Sequence, residues 1–237
     1  MGEQLFRLKG EEGDLEELAY CFEAGNATVK KFDDFHYLVL QTDGATSDDE
    51  LRAAGEAALK RMNAICLVRD GRFRFPSISG LSRRDPATGK ISTVVNAQCH
   101  IQVRSGVRAK LTLFNPDGTS RPRQPTFGEQ AYRVAETNEA LREALRTYGA
   151  IDQDWRGLYT VFETIEAAKG KIPSAWATKG EISDFTGTAN SYCAVGPDAR
   201  HGFGASEPMV PKMTVAQARA LIQKLLQAWV DELIGAL

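Results

Sequence analysis

The chain has 237 residues, 43% of them hydrophobic and 25% charged, with a formal net charge of −2, which is the balance of a globular protein with length for one large domain or two smaller ones. No apolar run approaches the ~20 residues a membrane helix needs. The opening Met1-Gly2-Glu3-Gln4 has neither the basic nor the apolar region of a secretion signal, so a cytoplasmic location with no membrane partner is expected.

Gln4–Lys9 reads as a first strand, with Leu5, Phe6 and Leu8 apolar. After Gly13-Asp14, Leu15, Leu18, Ala19 and Phe22 fall at helical spacing, and Gly25-Asn26 stops the helix. Thr28–Phe32 and Phe35–Gln41 flank Asp33-Asp34 as a hairpin. Ser47 and Glu50 form a capping box for a helix reaching Asn63. Ile65–Val68 and Arg72–Phe75 flank Asp70-Gly71 as a short second hairpin, and Pro76–Gly89, rich in Pro, Gly, Ser and Arg, reads as an exposed loop. From Ile91 to Val103, apolar and polar residues alternate. Ser105-Gly106 turns the chain, and Val107 to Leu113 alternate on the return, a long hairpin with one face on a core.

The order strand, helix, strand, strand, helix, strand is that of a split βαβ unit. The expected fold is therefore α+β. A split βαβ-like sheet with two helices plus the long hairpin occupies residues 1–120, and a helical bundle follows over 126–237. Asn115–Pro125 is the linker candidate. The bundle helices run over Glu129–Tyr148, over Asp152–Lys169, from a cap at Thr178 to Asn190, and from a cap at Thr214. The last carries an apolar stripe, Val215, Ala218, Leu221, Ile222, Leu225, Leu226, Trp229 and Leu233, suited to a bundle core or to a partner groove.

Charge is unevenly placed. Residues 1–50 carry four basic and thirteen acidic side chains, whereas 51–123 carry fourteen basic and four acidic. That asymmetry points to an anionic partner, although an acidic segment packed beside a basic one would give the same counts. Within the basic stretch Arg72, Arg74, Arg83 and Arg84 could hold phosphates while Phe73 and Phe75 stack on bases. The competing reading is a solvated hairpin with its phenylalanines turned inward. Cys21, Cys66, Cys99 and Cys193 are scattered without a Cys-x-x-Cys pair, so neither a disulfide framework nor a metal centre is expected. No cofactor is expected either, because no Walker lysine or nucleophile elbow occurs and Gly202-Phe203-Gly204 lacks a preceding strand. His36 and His100 fall in strands and read as structural. Asp152-Gln153-Asp154 reads as the start of a helix.

Arg200-His201-Gly202 lies in a Gly- and Pro-rich loop before the last helix. Imidazole can give and take a proton near neutral pH, and a neighbouring guanidinium favours a phosphate at the same spot. The last third of the chain resembles HEPN domains, helical bundles of bacterial toxins, antiphage systems and RNA-cleaving effectors, which carry an Arg and a His near a helix start, a Gly, and a long final helix. Here Asn190 ends a helix, Arg200-His201-Gly202 follows, and Thr214–Leu233 is the final helix. HEPN ribonucleases separate their Arg and His by several residues, whereas these two are adjacent, so convergence on one site requires loop geometry. The resemblance implies a nucleic-acid-associated protein, an RNase or a toxin or defence component. Arg200 would hold phosphate and His201 would serve as general acid/base. RNA or another nucleic acid would be the partner, and the bundle could join two copies. The alternative is a non-catalytic interaction or scaffold protein.

Overall fold

A computed structural model of the chain describes residues 2–42, 47–84, 88–95, 123–149, 153–201 and 210–237. The chain forms two compact units, Met1–Leu59 with Arg74–Gln130, and Lys60–Phe73 with Ala131–Leu237.

The first unit is built on β1 (Gly2–Lys9), α1 (Glu12–Cys21), β2 (Ala27–Phe32), β3 (Phe35–Thr42), the first part of α2 (Asp48–Arg69), β4 (Ser77–Arg84) and β5 (Ile91–Val95). The strands form one sheet in the order β2-β3-β1-β4-β5, every neighbouring pair antiparallel. β1 and β2 therefore run parallel with β3 between them, and β3 and β4 run parallel with β1 between them. This is the expected split βαβ arrangement, extended at one edge by β5. The β2–β3 hairpin turns where expected, with Phe32 opposite Phe35 and Asp33 at φ 52°, a left-handed conformation that Asp tolerates better than most residues.

Both sheet faces bury side chains. On one, Phe6 meets α2 so closely that a Cβ on Gly55 would lie 2.8 Å from its ring. On the other, Leu5, Tyr37 and Val39 form a core against which Phe32 and Ile91 pack. Arg123, in the same unit, forks its guanidinium onto Glu129 at 2.6 and 2.9 Å and also donates to Glu23 at 2.9 Å.

Two local expectations are overturned here. Ile65–Val68 is not a strand but the last turns of α2, and no hairpin forms at Asp70-Gly71. Ala64 to Val68 are buried without a break, and a short, continuous apolar run has the same pattern in a buried strand as in a buried helix. Nor is the whole of 76–89 a loop, because Ser77–Arg84 is β4, between β1 and β5. Two of its three serines find partners inside the sheet: Ser79 donates to the Arg7 carbonyl beside a bulge, and the Ser82 and Thr93 hydroxyls meet at 2.8 Å. Ile91–Val95, the start of the strand expected from Ile91 to Val103, is β5 and pairs with β4; the rest of the expected long hairpin lies outside the described residues, as does most of the linker.

The second unit is helical. The end of α2 is joined by α3 (Phe127–Thr137, from Ala131 onward), α4 (Glu139–Tyr148), α5 (Trp155–Lys169), α6 (Lys179–Asn190), the single turn α7 (Tyr192–Val195) and α8 (Val215–Ile234). The helix expected over Glu129–Tyr148 is in fact α3 and α4. Asn138 leaves helical geometry and its side chain accepts from the Leu141 amide at 2.9 Å, capping α4. Asp154 caps α5, Gly170 ends it at φ 69°, and the boxes at Thr178/Glu181 and Thr214/Gln217 cap α6 and α8 as expected. Trp155, Tyr159 and Phe162 of α5 surround Phe185 of α6 at ring separations of 5.4–6.1 Å. The stripe of α8 is core from Ala218 to Val230, and its Gln223 donates to the Val68 carbonyl at 3.0 Å. No described helix is long and apolar enough to cross a membrane.

Candidate functional site

The segment that brings Arg200 and His201 into position is a closed loop on the end of α6. After Asn190 the chain passes through Ser191 and α7, turns at Gly196 (φ 64°) into a 3-10 turn with Pro197 at its start, and comes back. The Arg200 amide then donates to the Ala189 carbonyl at 3.0 Å. That carbonyl belongs to the last turn of α6, where intrahelical donors run out, so the returning chain supplies what the helix end lacks. Arg156 of α5 pins the loop from below, donating to the Pro197 carbonyl at 3.2 Å and the Ala199 carbonyl at 3.5 Å. Ala199 is buried beneath it.

This closure sets Arg200 against two side chains of α5. Its guanidinium lies 4.8 Å over the Tyr159 ring and donates to Glu163 at 2.8 Å. Tyr159 and Glu163 lie four apart on α5 and so share a face. The Asn190 amide reaches the Tyr159 hydroxyl at 3.4 Å, while its buried carbonyl oxygen and the buried Ser191 hydroxyl have no hydrogen-bond partner. His201 is exposed at the rim. Chemically the patch offers a charged, partly exposed guanidinium and an exposed imidazole one residue away. Gly202, the third residue of the sequence motif, lies outside the described residues.

The other four arginines each have a partner of their own. Arg72 is highly exposed and 3.3 Å from Asp70, Arg74 is 3.0 Å from Glu11, and Arg83 is 3.6 Å from Asp48. Arg84, on the opposite face of β4 from Arg83, lies 5.2 Å over the Phe32 ring. Phe73 is buried and has no free face to offer a base.

Tyr159 and Glu163 were absent from the expected site because their helical spacing reads only as α5 packing. The one sequence signal for them is a carboxylate one turn beyond an aromatic residue, which is too common to single out. No family model, no curated protein and no solved structure matches the chain.

Proposed function

We propose that the protein is nucleic-acid-associated and that its helical unit handles an RNA phosphodiester at Arg200 and His201, as an RNase of toxin or defence type. The observation that supports this reading is the closure of Arg200 onto Ala189. It holds the two adjacent residues on a loop, where side chains are not bound to diverge as they are on a helix. In the proposed reaction His201 takes the proton of the ribose 2′-hydroxyl as that oxygen attacks phosphorus. The bond to the 5′-oxygen breaks, and the imidazolium returns the proton to the leaving oxygen. Arg200 would bind the non-bridging oxygens, where its planar fork stabilises the charge that builds up. Glu163 pairs with the guanidinium until phosphate replaces it.

A scaffold reading draws on the same contacts. Arg200 already has a carboxylate and an aromatic ring as partners, which is also how an arginine that merely fastens a loop is held. A second copy docking on this unit would have to use a face other than the α8 stripe, since that stripe is core.

End-labelled single-stranded RNA and duplex DNA, incubated with wild type and His201→Ala, separate the two readings. Cleavage of RNA that falls by about 100-fold or more in His201→Ala supports the nuclease. Cleavage unchanged by that substitution, or neither binding nor cleavage by wild type, leaves the scaffold.

A further inference from the structure

In the first unit, Glu12 and Glu16 stand one turn apart on the same face of α1. Facing them from the sheet are Lys31 of β2 and His36 of β3, which are opposite each other in the ladder. The Lys31 ammonium bridges the two carboxylates, 2.7 Å from Glu12 and 3.1 Å from Glu16. Behind it lies His36, whose side chain is 1% exposed. Its Nε2 is 3.7 Å from the Glu16 carboxylate and makes no hydrogen bond. The ammonium thus satisfies both carboxylates and leaves a buried ring nitrogen aimed at the same spot with nothing to bind. An unsatisfied buried polar atom of this kind destabilises the fold unless something binds it.

The geometry points to a divalent-metal site of the zinc class formed by Glu12, Glu16 and His36, with the Lys31 ammonium standing where the ion would sit. One donor atom from each of the three ligands lies within 4.8 Å of the others. Donors around a tetrahedral ion at ~2.1 Å are about 3.4 Å apart, and both carboxylates sit on exposed, rotatable side chains that can close the difference. One imidazole nitrogen with two carboxylate oxygens suits zinc and leaves a fourth position for water. A doubly charged ion would satisfy all three ligands at once, which the ammonium cannot do. Binding would fasten α1 to the β2–β3 hairpin.

The test uses the untagged full chain stripped with a chelator. Cobalt(II) is titrated by visible absorption and zinc(II) by calorimetry, for wild type, Glu16→Gln and Lys31→Met. His36 is buried, so the exposed carboxylate and the lysine carry the test, with circular dichroism confirming that each variant folds. The expected result is one equivalent of metal in wild type, weakened at least about tenfold by Glu16→Gln and tightened about tenfold or more by Lys31→Met, which removes the competing charge. Absence of a bound equivalent in wild type would overturn the site. So would binding that neither substitution changes.

Discussion

The Arg200 guanidinium is held twice, by the Glu163 carboxylate and by the Tyr159 ring, yet its side chain is 41% exposed and that of Glu163 45%. Exposed ion pairs contribute about 0–1 kcal/mol, and exposed cation–π contacts about 0.5–1 kcal/mol. The bond that shapes the loop runs from the Arg200 backbone, which any residue but proline retains. Arg200→Ala is therefore expected to lower stability by no more than about 2 kcal/mol, read as a shift of the urea midpoint at unchanged slope. If so, loss of cleavage in this variant reports on phosphate binding alone. A much larger loss of stability would mean that the side chain fastens the loop, the role a scaffold would give it. Sequence made Arg200 and His201 visible by residue type and by their Gly- and Pro-rich setting. It could not show Tyr159 and Glu163 as their neighbours, because that depends on how α5 packs against the end of α6. His36 is a similar case. Its place in a strand was legible, but the two glutamates opposite it come from α1 and become neighbours only once sheet and helix are stacked.

Among the elements, those opened by a local hydrogen-bond exchange were legible. Ser47 with Glu50, Thr178 with Glu181 and Thr214 with Gln217 each close a reciprocal box at the start of a helix, and both partners lie within four residues of sequence. Elements fixed by their surroundings were not. The end of α2 carries β-branched and apolar residues that suit a strand as well as a helix, and only burial on every side decides for the helix. β4 is poor in apolar residues and exists because β1 and β5 pair with both its edges. The break between α3 and α4 is an intermediate case. Val134, Leu141 and Leu145 keep helical spacing across it, so periodicity continues while the backbone does not. Asn138 turns the chain and caps the new helix through its own side chain. Asn138→Ala removes that acceptor and should cost about 1 kcal/mol, measured by urea unfolding. Asn138→Asp or Asn138→Ser, which keep an oxygen there, should cost little. An alanine variant as stable as wild type would mean that packing of the α4 stripe alone sets the break.

Among the described residues, part of the uneven charge of the sequence is answered by ion pairs within the fold. Glu11, Asp48 and Glu23 from the acidic first segment meet Arg74, Arg83 and Arg123 from the basic one. Such pairing ties stability to pH. Burial pushes the Glu129 carboxyl up, but the Arg123 fork and the amides of Thr126 and Ala24 outweigh it and hold the group below its usual range. Glu50 is lowered by the Ser47 amide and hydroxyl, and Glu181 falls to about 2 through Thr178 and then Lys224. Each of these carboxyls ionises more readily in the folded chain than in the unfolded one. Their contribution is whole above the ordinary carboxylate pKa of about 4.3 and is lost as pH falls through the folded values. The urea midpoint should hold from pH 7 to about 5 and drop between about 4.5 and 2. Glu129 is the most buried acid in an ion pair with Arg123, its side chain 9% exposed, so it should carry a large share of the drop. Glu129→Gln is expected to lower the midpoint at pH 7 and to narrow the difference between pH 7 and pH 3, because the amide has no charge to lose. A variant whose midpoint falls by as much as that of wild type over that interval would move the acid sensitivity to other carboxylates. An unchanged midpoint at pH 7 would show that the Arg123 fork adds nothing to the fold.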